Sequence, residues 1–166
     1  LPDWDAATVV TRWTRGEGGW SCAPGERHIL DPRPADIYNA MVVGLRDYVD
    51  RNRFPGVVLG LSGGIDSALS AAVAVDALGP ERVWGVMMPS RFTSQDSLDD
   101  AAENAALLGI RLDTVPIAPA MAAFDEMLAP LFAGRGPDLT EENIQSRIRG
   151  LTLMALSNKF GPMLLT

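Results

Sequence analysis

The 166 residues contain one cysteine and one histidine, and Lys159 is the only lysine among 14 basic residues. The lone Cys22 rules out an internal disulfide and fits a reducing compartment. A single lysine also excludes a phosphate loop of the G-x-x-x-x-G-K-[ST] kind wherever Lys159 is not its partner. No apolar run approaches the ~18 residues of a membrane span, and the acidic, tryptophan-containing N-terminal stretch does not read as a signal peptide. Positive charge is scarce too. Net charge is −7 and the pI about 4.6, so no broad face for nucleic acid is expected, although a local basic pocket stays open. What remains is a chain that is 47% hydrophobic and long enough for one cored domain. The expectation is a cytoplasmic α/β domain with neither a nucleic-acid nor a membrane partner.

Residues 1–33 show no sustained period and read as an irregular arm. From Pro34 the positions Ile37, Ala40, Met41, Leu45, Tyr48 and Val49 recur on one helical face, and Phe54-Pro55-Gly56 stops that helix. Strands and helices then alternate. Residues 57–61 and 83–88 are short apolar runs of the kind buried on both faces of a parallel sheet. Residues 112–117 form a third strand, placed nearer an edge by Pro116. Helices are expected over 67–78, 97–108 and 119–132, the last broken near Pro130. A longer one opens at Thr140 with the stripe Ile144, Ile148, Leu151 and Ala155. Residues 163–166 look like a fourth strand. This alternation predicts an α/β fold of three layers, a doubly wound parallel sheet over 34–166. Met87, Met88, Met121 and Met127 are assigned to its core. Asp99, Asp100 and Glu103 are assigned to a solvated helix face.

The sequence LSGGIDSA at 61–68 sits where a strand ends and a helix starts, the position at which α/β sheets bind ligands. Glycines there admit backbone N–H groups to phosphate oxygens, and the helix N-terminus favours negative charge. Ser62 and Ser67 add hydroxyls. Asp66 would repel phosphate unless a divalent metal lies between them. A bare glycine pair would read as a tight turn capped by Asp66 and Ser67; the full SGGIDS after a buried strand favours the phosphate loop. It matches neither the lysine-bearing loop nor G-x-G-x-x-G. Cys22 and His28 lie in the unpatterned arm with no third orienting group, so a nucleophile–base pair is not assigned to them.

SGGIDS resembles the pyrophosphate loop of the N-type ATP pyrophosphatases, which cleave ATP between the α- and β-phosphates and adenylate a substrate. Within that group, MPSRFTSQDSLDDA at 88–101 and ENIQSRIRGLTLMALSNKFGPMLLT at 142–166 are similar to glutamine-dependent NAD synthetase, as is IYNAMVVGLRDYV at 37–49. The resemblance implies an adenine nucleotide alpha hydrolase-like fold. It also implies ATP-dependent amidation of deamido-NAD through an adenylated nicotinate, with ammonia supplied from glutamine by an upstream domain that residues 1–33 would join. Carried onto this sequence, Gly60, Leu61, Ser62, Gly63, Gly64, Ile65, Asp66 and Ser67 would hold ATP, with Asp66 a Mg²⁺ ligand and Ser62 and Ser67 beside it in the catalytic group. Residues 87–90, Met88 among them, would border the adenine through their backbone, and Gln95 would reach the ribose. Arg147, and less directly Arg149, would contact deamido-NAD. Two plainer readings stay beside these: residues 90–96 as a capped loop and Arg147 as a solvated helix charge.

The family pattern continues past Leu164-Leu165-Thr166 with a further threonine and a metal-binding glutamate. The sequence is therefore expected to be the N-terminal part of a synthetase domain, of a family that forms dimers through helices such as that at 140–160. Another N-type pyrophosphatase of the GMP synthetase kind, or a nucleotide-binding fragment without turnover, are the competing expectations.

Overall fold

The computed structural model describes Trp4, residues 6–25 and residues 33–166. His28 lies outside the described residues. Two strands open the chain, β1 (Trp13–Gly16) and β2 (Gly19–Cys22), followed by α1 (Arg33–Arg51), β3 (Val57–Gly60), α2 (Ile65–Leu78) and β4 (Val83–Met87). Then come α3 (Gln95–Leu108), β5 (Arg111–Thr114), α4 (Ala118–Leu128), α5 (Leu139–Phe160) and the short β6 (Met163–Leu164). The last four strands form one parallel sheet in the order β5-β4-β3-β6. Winding therefore runs outward from β3 to β5, then returns through α4 and α5 to the other side of β3. That reversal makes the sheet doubly wound and places a topological switch point between β3 and β6.

Side chains alternate across the sheet with the period of two that a strand imposes. Val57 and Leu59 of β3 and Val83 of β4 pack with Val49, Ala71, Ala74, Ala101 and Ala105 from α1, α2 and α3. Val58 and Val86 point the other way, into Met121 of α4 and Ile148 and Leu153 of α5. Val49, Val57, Val58, Val83 and Val86 are fully buried, each contributing about 1.5–3 kcal/mol. Three layers result, as the sequence predicts. The strand β5 is an edge, again as expected. It is pinned where the Trp84 indole N–H donates to Asp113 Oδ2 at 2.7 Å and the Arg111 guanidinium stacks 4.1 Å from the Trp84 ring centroid.

Four expectations need correction. The arm contains an antiparallel hairpin, Trp13 opposite Cys22 and Gly16 opposite Gly19, closed by Glu17-Gly18. It left no apolar signal because both strands are exposed along their length. On α1 the buried stripe is Tyr38, Val42, Leu45 and Val49, while Ile37, Met41 and Tyr48 face outward. The helix carries two apolar stripes, and α2 covers only one. On α5 Ile148 and Leu153 are buried but Leu151 is 68% exposed and Ala155 is exposed as well. Met127 is 61% exposed, whereas Met88 and Met121 are in the core.

Helix ends position the site. α3 is capped by Ser94, whose hydroxyl accepts from Ser97 N–H, and α5 by Asp138 in a capping box with Glu141. The cap of α2 is Gly64, which offers no side chain. At its other end, which lacks a basic residue, Arg46 of α1 donates to the carbonyls of Ala77 (2.8 Å) and Asp76 (3.1 Å). Between β3 and α2, Gly63 takes φ +78°, and a Cβ there would collide with Ser97 O and lie 2.8 Å from Ser97 Cα. Only glycine admits both the left-handed backbone and that approach to the start of α3.

Two outcomes follow. Gly63→Ala is expected to cost about 1–3 kcal/mol in urea unfolding; an unchanged midpoint would show that the loop and α3 separate without strain. The Tyr38 hydroxyl donates to Asp76 Oδ2 at 2.6 Å. That bond first, then partial burial and the carboxylate's charge, pushes the phenol up from 10.0 to about 12. A pKa raised by folding stabilises fully below pH 10, and that contribution is lost as pH rises through 12. Tyr38→Phe should therefore show a shallower fall in stability between pH 10 and 12 than the parent chain. Equal slopes by chemical denaturation would contradict this linkage.

Candidate nucleotide site

The loop after β3 opens on a cavity of about 560 Å³. It lies at the carboxyl ends of β3 and β4 beside the switch point, with Leu165 and Thr166 after β6 forming part of its rim. Leu59, Leu61, Met88, Leu98 and Leu153 give it an apolar wall. Polar groups come from the loop and helix starts: Ser62, Asp66, Ser67 and Ser70 on one side, Thr93, Ser94 and Ser97 on another, Gln145 and Arg149 on a third.

Within the loop the two serines hold one another. Their hydroxyl oxygens are 3.1 Å apart, Ser67 Oγ donates to Gly64 O at 2.9 Å, and Gly64 N–H donates to Ser62 Oγ at 3.3 Å. No side chain caps the first-turn N–H groups of α2. Those donors and the helix dipole suit this end to an anion, whose oxygens would stand where the capping side chains of α3 and α5 stand. Among the described residues Asp66 has the only acidic side chain lining the cavity and Arg149 the only basic one. Among the described residues no group of three or more His, Cys, Asp or Glu side chains is placed to hold a metal. A solitary carboxylate beside an anion cradle suits Mg²⁺, which keeps waters and shares its shell with substrate phosphates.

Of the residues singled out by sequence, Gly60, Leu61, Ser62, Asp66, Ser67, Met88 and Arg149 come together around the cavity. Gly63, Gly64 and Ile65 face a smaller pocket of about 220 Å³ behind the loop, shared with Asp100 and Asn104. Gln95 and Arg147 are not among the lining residues. The Gln95 amide donates to Asp99 Oδ1 at 2.8 Å on the outer side of α3, and exposed Arg147 donates to the carbonyl and side-chain oxygens of Asn143, one turn back on α5. The structure thus places Arg149 at the cavity, and Arg147 outside its lining. Arg149 is half-buried and donates to Met88 O from Nε (3.4 Å) and Nη2 (3.3 Å), so that carbonyl is already engaged from the α5 side.

Sequence reasoning missed Ser70, Ser97 and Gln145, and treated residues 90–96 as loop or ligand contact. They are both. Ser90 N–H donates to Thr93 Oγ1 at 3.0 Å and Ser94 caps α3, while Phe92, Thr93 and Ser94 line the cavity. The available signal was the i, i+4, i+8 spacing of Gln145, Arg149 and Leu153, which puts all three on one face of α5. Among the described residues no helix is long and apolar enough to cross a membrane.

Comparison with known proteins identifies the family. The NAD synthase family model matches residues 37–166. The glutamine-dependent NAD(+) synthetase of Rhodobacter capsulatus is 56% identical over 169 residues, covering all of this chain and 30% of that protein. That of Thermotoga maritima is 53% identical over 137 residues, covering 82% of this chain and 24% of its own length. A solved structure of the Acinetobacter baumannii glutamine-dependent NAD+ synthetase in complex with ADP superposes with a TM-score of 0.84 at 49% identity, over 86% of this chain and 27% of that one. The chain thus spans under a third of the length of these relatives. Sequence and fold together show that it belongs to the NAD synthase family.

Proposed function

We propose that this chain supplies the ATP-binding part of an enzyme that amidates deamido-NAD to NAD. The observation that carries the reading is the uncapped start of α2, flanked by two serine hydroxyls and one carboxylate, opening at the switch point. The ADP bound by the Acinetobacter baumannii relative supports an adenine nucleotide as occupant. In the first step a nicotinate carboxylate oxygen attacks the α-phosphorus of ATP, and the bridging oxygen departs with pyrophosphate. In the second, ammonia attacks the activated carbonyl carbon, AMP leaves, and the nitrogen loses a proton to give the amide.

The residues divide this work by position. Ser62, Ser67 and the first-turn N–H groups of α2 hold the phosphates where the leaving pyrophosphate develops charge. Asp66 would hold Mg²⁺ jointly with those phosphates, and the ion would offset part of their charge. Arg149 adds a fixed positive charge at the cavity wall. Leu59, Leu61, Met88 and Leu153 exclude water and fix the nucleotide's orientation. Arg147, outside this lining, is free to meet the second nucleotide, deamido-NAD. Ammonia comes from glutamine hydrolysed elsewhere in the assembly. The exposed Leu151 and Met154, on one side of α5, give an apolar surface for a second copy, and the enzyme works in the cytoplasm.

The test is exchange of labelled pyrophosphate into ATP, which should require deamido-NAD. Exchange stimulated instead by xanthosine monophosphate would move the assignment to a GMP synthetase-like enzyme, and ADP binding without exchange would make this chain a nucleotide-binding piece. Asp66→Asn should lower exchange about 100-fold, equivalent to ~2.7 kcal/mol, with the thermal midpoint unchanged. Should Asp66→Asn unfold the domain, Asp66 is a structural cap.

A further inference from the structure

Gln145, Arg149 and Leu153 form a row along the cavity side of α5. At 1.5 Å per residue the row is about 12 Å long. Leu153 stands at the phosphate end, its Cδ1 3.4 Å from where a Cβ on Gly60 would lie. Arg149 follows at the carbonyl of Met88. Gln145 is outermost, where the loop after β4 passes.

That loop fixes the sense of the Gln145 amide. Ser90 Oγ donates to Gln145 Oε1 at 2.6 Å. The distance belongs to an O–H···O bond and is short for an amide N–H donor. Ser90 Oγ accepts from Phe92 N–H at 3.1 Å and lies 3.4 Å from Thr93 Oγ1, the longer of its two hydroxyl-range contacts, so its single proton goes to the amide oxygen 2.6 Å away. With Oε1 held by Ser90, the NH₂ is the group Gln145 offers to the cavity. A glutamine that was free to turn would offer either end.

We infer that Gln145 is a binding residue that donates a hydrogen bond to the non-phosphate end of the bound nucleotide, with Ser90 as the residue that positions it. The inference rests on reading the cavity as an adenine-nucleotide site. A ligand with phosphates on the loop extends past Arg149 and reaches Gln145 with its sugar or base. The chemistry selected is a hydrogen-bond acceptor, either purine N1 (a bare acceptor in adenine, protonated in inosine) or the ribose 2′-oxygen. An oxygen in place of that NH₂ would meet the acceptor with repulsion.

The experiment is isothermal titration of the 166-residue chain with ADP and Mg²⁺, repeated for Gln145→Glu, Ser90→Ala and Ser90→Thr. Gln145→Glu should weaken ADP about 10- to 100-fold, the size of a lost hydrogen bond plus repulsion, yet leave pyrophosphate within about twofold because it occupies only the loop. Ser90→Ala should weaken ADP about three- to tenfold by releasing the amide, and Ser90→Thr, which keeps the hydroxyl, should restore it. Inosine diphosphate and 2′-deoxy-ADP separate the two acceptors. If the purine edge is read, the preference for ADP over inosine diphosphate shrinks in Gln145→Glu; if the ribose is read, the preference over 2′-deoxy-ADP shrinks instead. ADP affinity unchanged in Gln145→Glu, or equal losses for ADP and pyrophosphate, would overturn the role of Gln145. Unchanged affinity in Ser90→Ala would overturn that of Ser90. No ADP binding by the parent chain would overturn the nucleotide reading itself, and this role with it.

Discussion

The backbone of residue 63 lies against the backbone of residue 97 with no space for a side chain between them, and the site is arranged around that approach. It brings the beginnings of α2 and α3, two helices that start from different strands, to one end of the sheet. Two consequences follow from the turn it permits. Ser62 and Ser67 face the main cavity, while Gly63 and Gly64 border the smaller pocket behind. The N–H groups of the first turn of α2 then meet the loop with no capping side chain over them, where an anion would lie.

The distribution of charge is compatible with a polyphosphate site in so acidic a chain. Its net −7 is spread over exposed helix faces such as Asp99, Asp100 and Glu103, whereas the cavity holds one acid and one base. Positive potential there comes mainly from peptide dipoles and Arg149, so no lysine is required. The same orphan donors exist at the starts of α3 and α5, where Ser94 and Asp138 satisfy them from within the chain. Only at α2, among these three helices, is the capping position given to glycine. A glycine cap costs only about a few tenths of a kcal/mol relative to a good side-chain cap, and a bound phosphate would supply the missing acceptor.

The sheet was legible because β3 and β4 are buried on both faces and so leave unbroken apolar runs, Val57-Val58-Leu59 above all. The loop was legible as a candidate site for a different reason: SGGIDS follows a buried strand immediately, where α/β sheets bind ligands. Legibility stopped where a helix offered more than one apolar face. Leu151 and Leu153, two residues apart, point about 200° from each other, and only contact with the sheet chooses Leu153. The same angle separates Arg147 from Arg149, so both cannot line one cavity. Sequence spacing alone does not say which arginine turns inward; the register of α5 against β4 does. The N-terminal hairpin buries neither face and therefore had no periodicity to read.

That register ties topology to chemistry. The helix α5 is the element that carries the chain back across the sheet, so that β6 joins β3 and the switch point exists. The same 22-residue helix also supplies one wall of the cavity opening at that switch point. Its two ends are both fixed: the capping box at Asp138 begins it, and after Gly161 at φ +92° the hydroxyl of Ser157 donates to Pro162 O at 2.8 Å. A residue inserted or lost between them would rotate Gln145 and Arg149 about 100° away from Ser90 and Met88. It would also displace Met163 from its place opposite Val57. Wall and switch point are thus set by one helical phase, and neither is free to drift without the other.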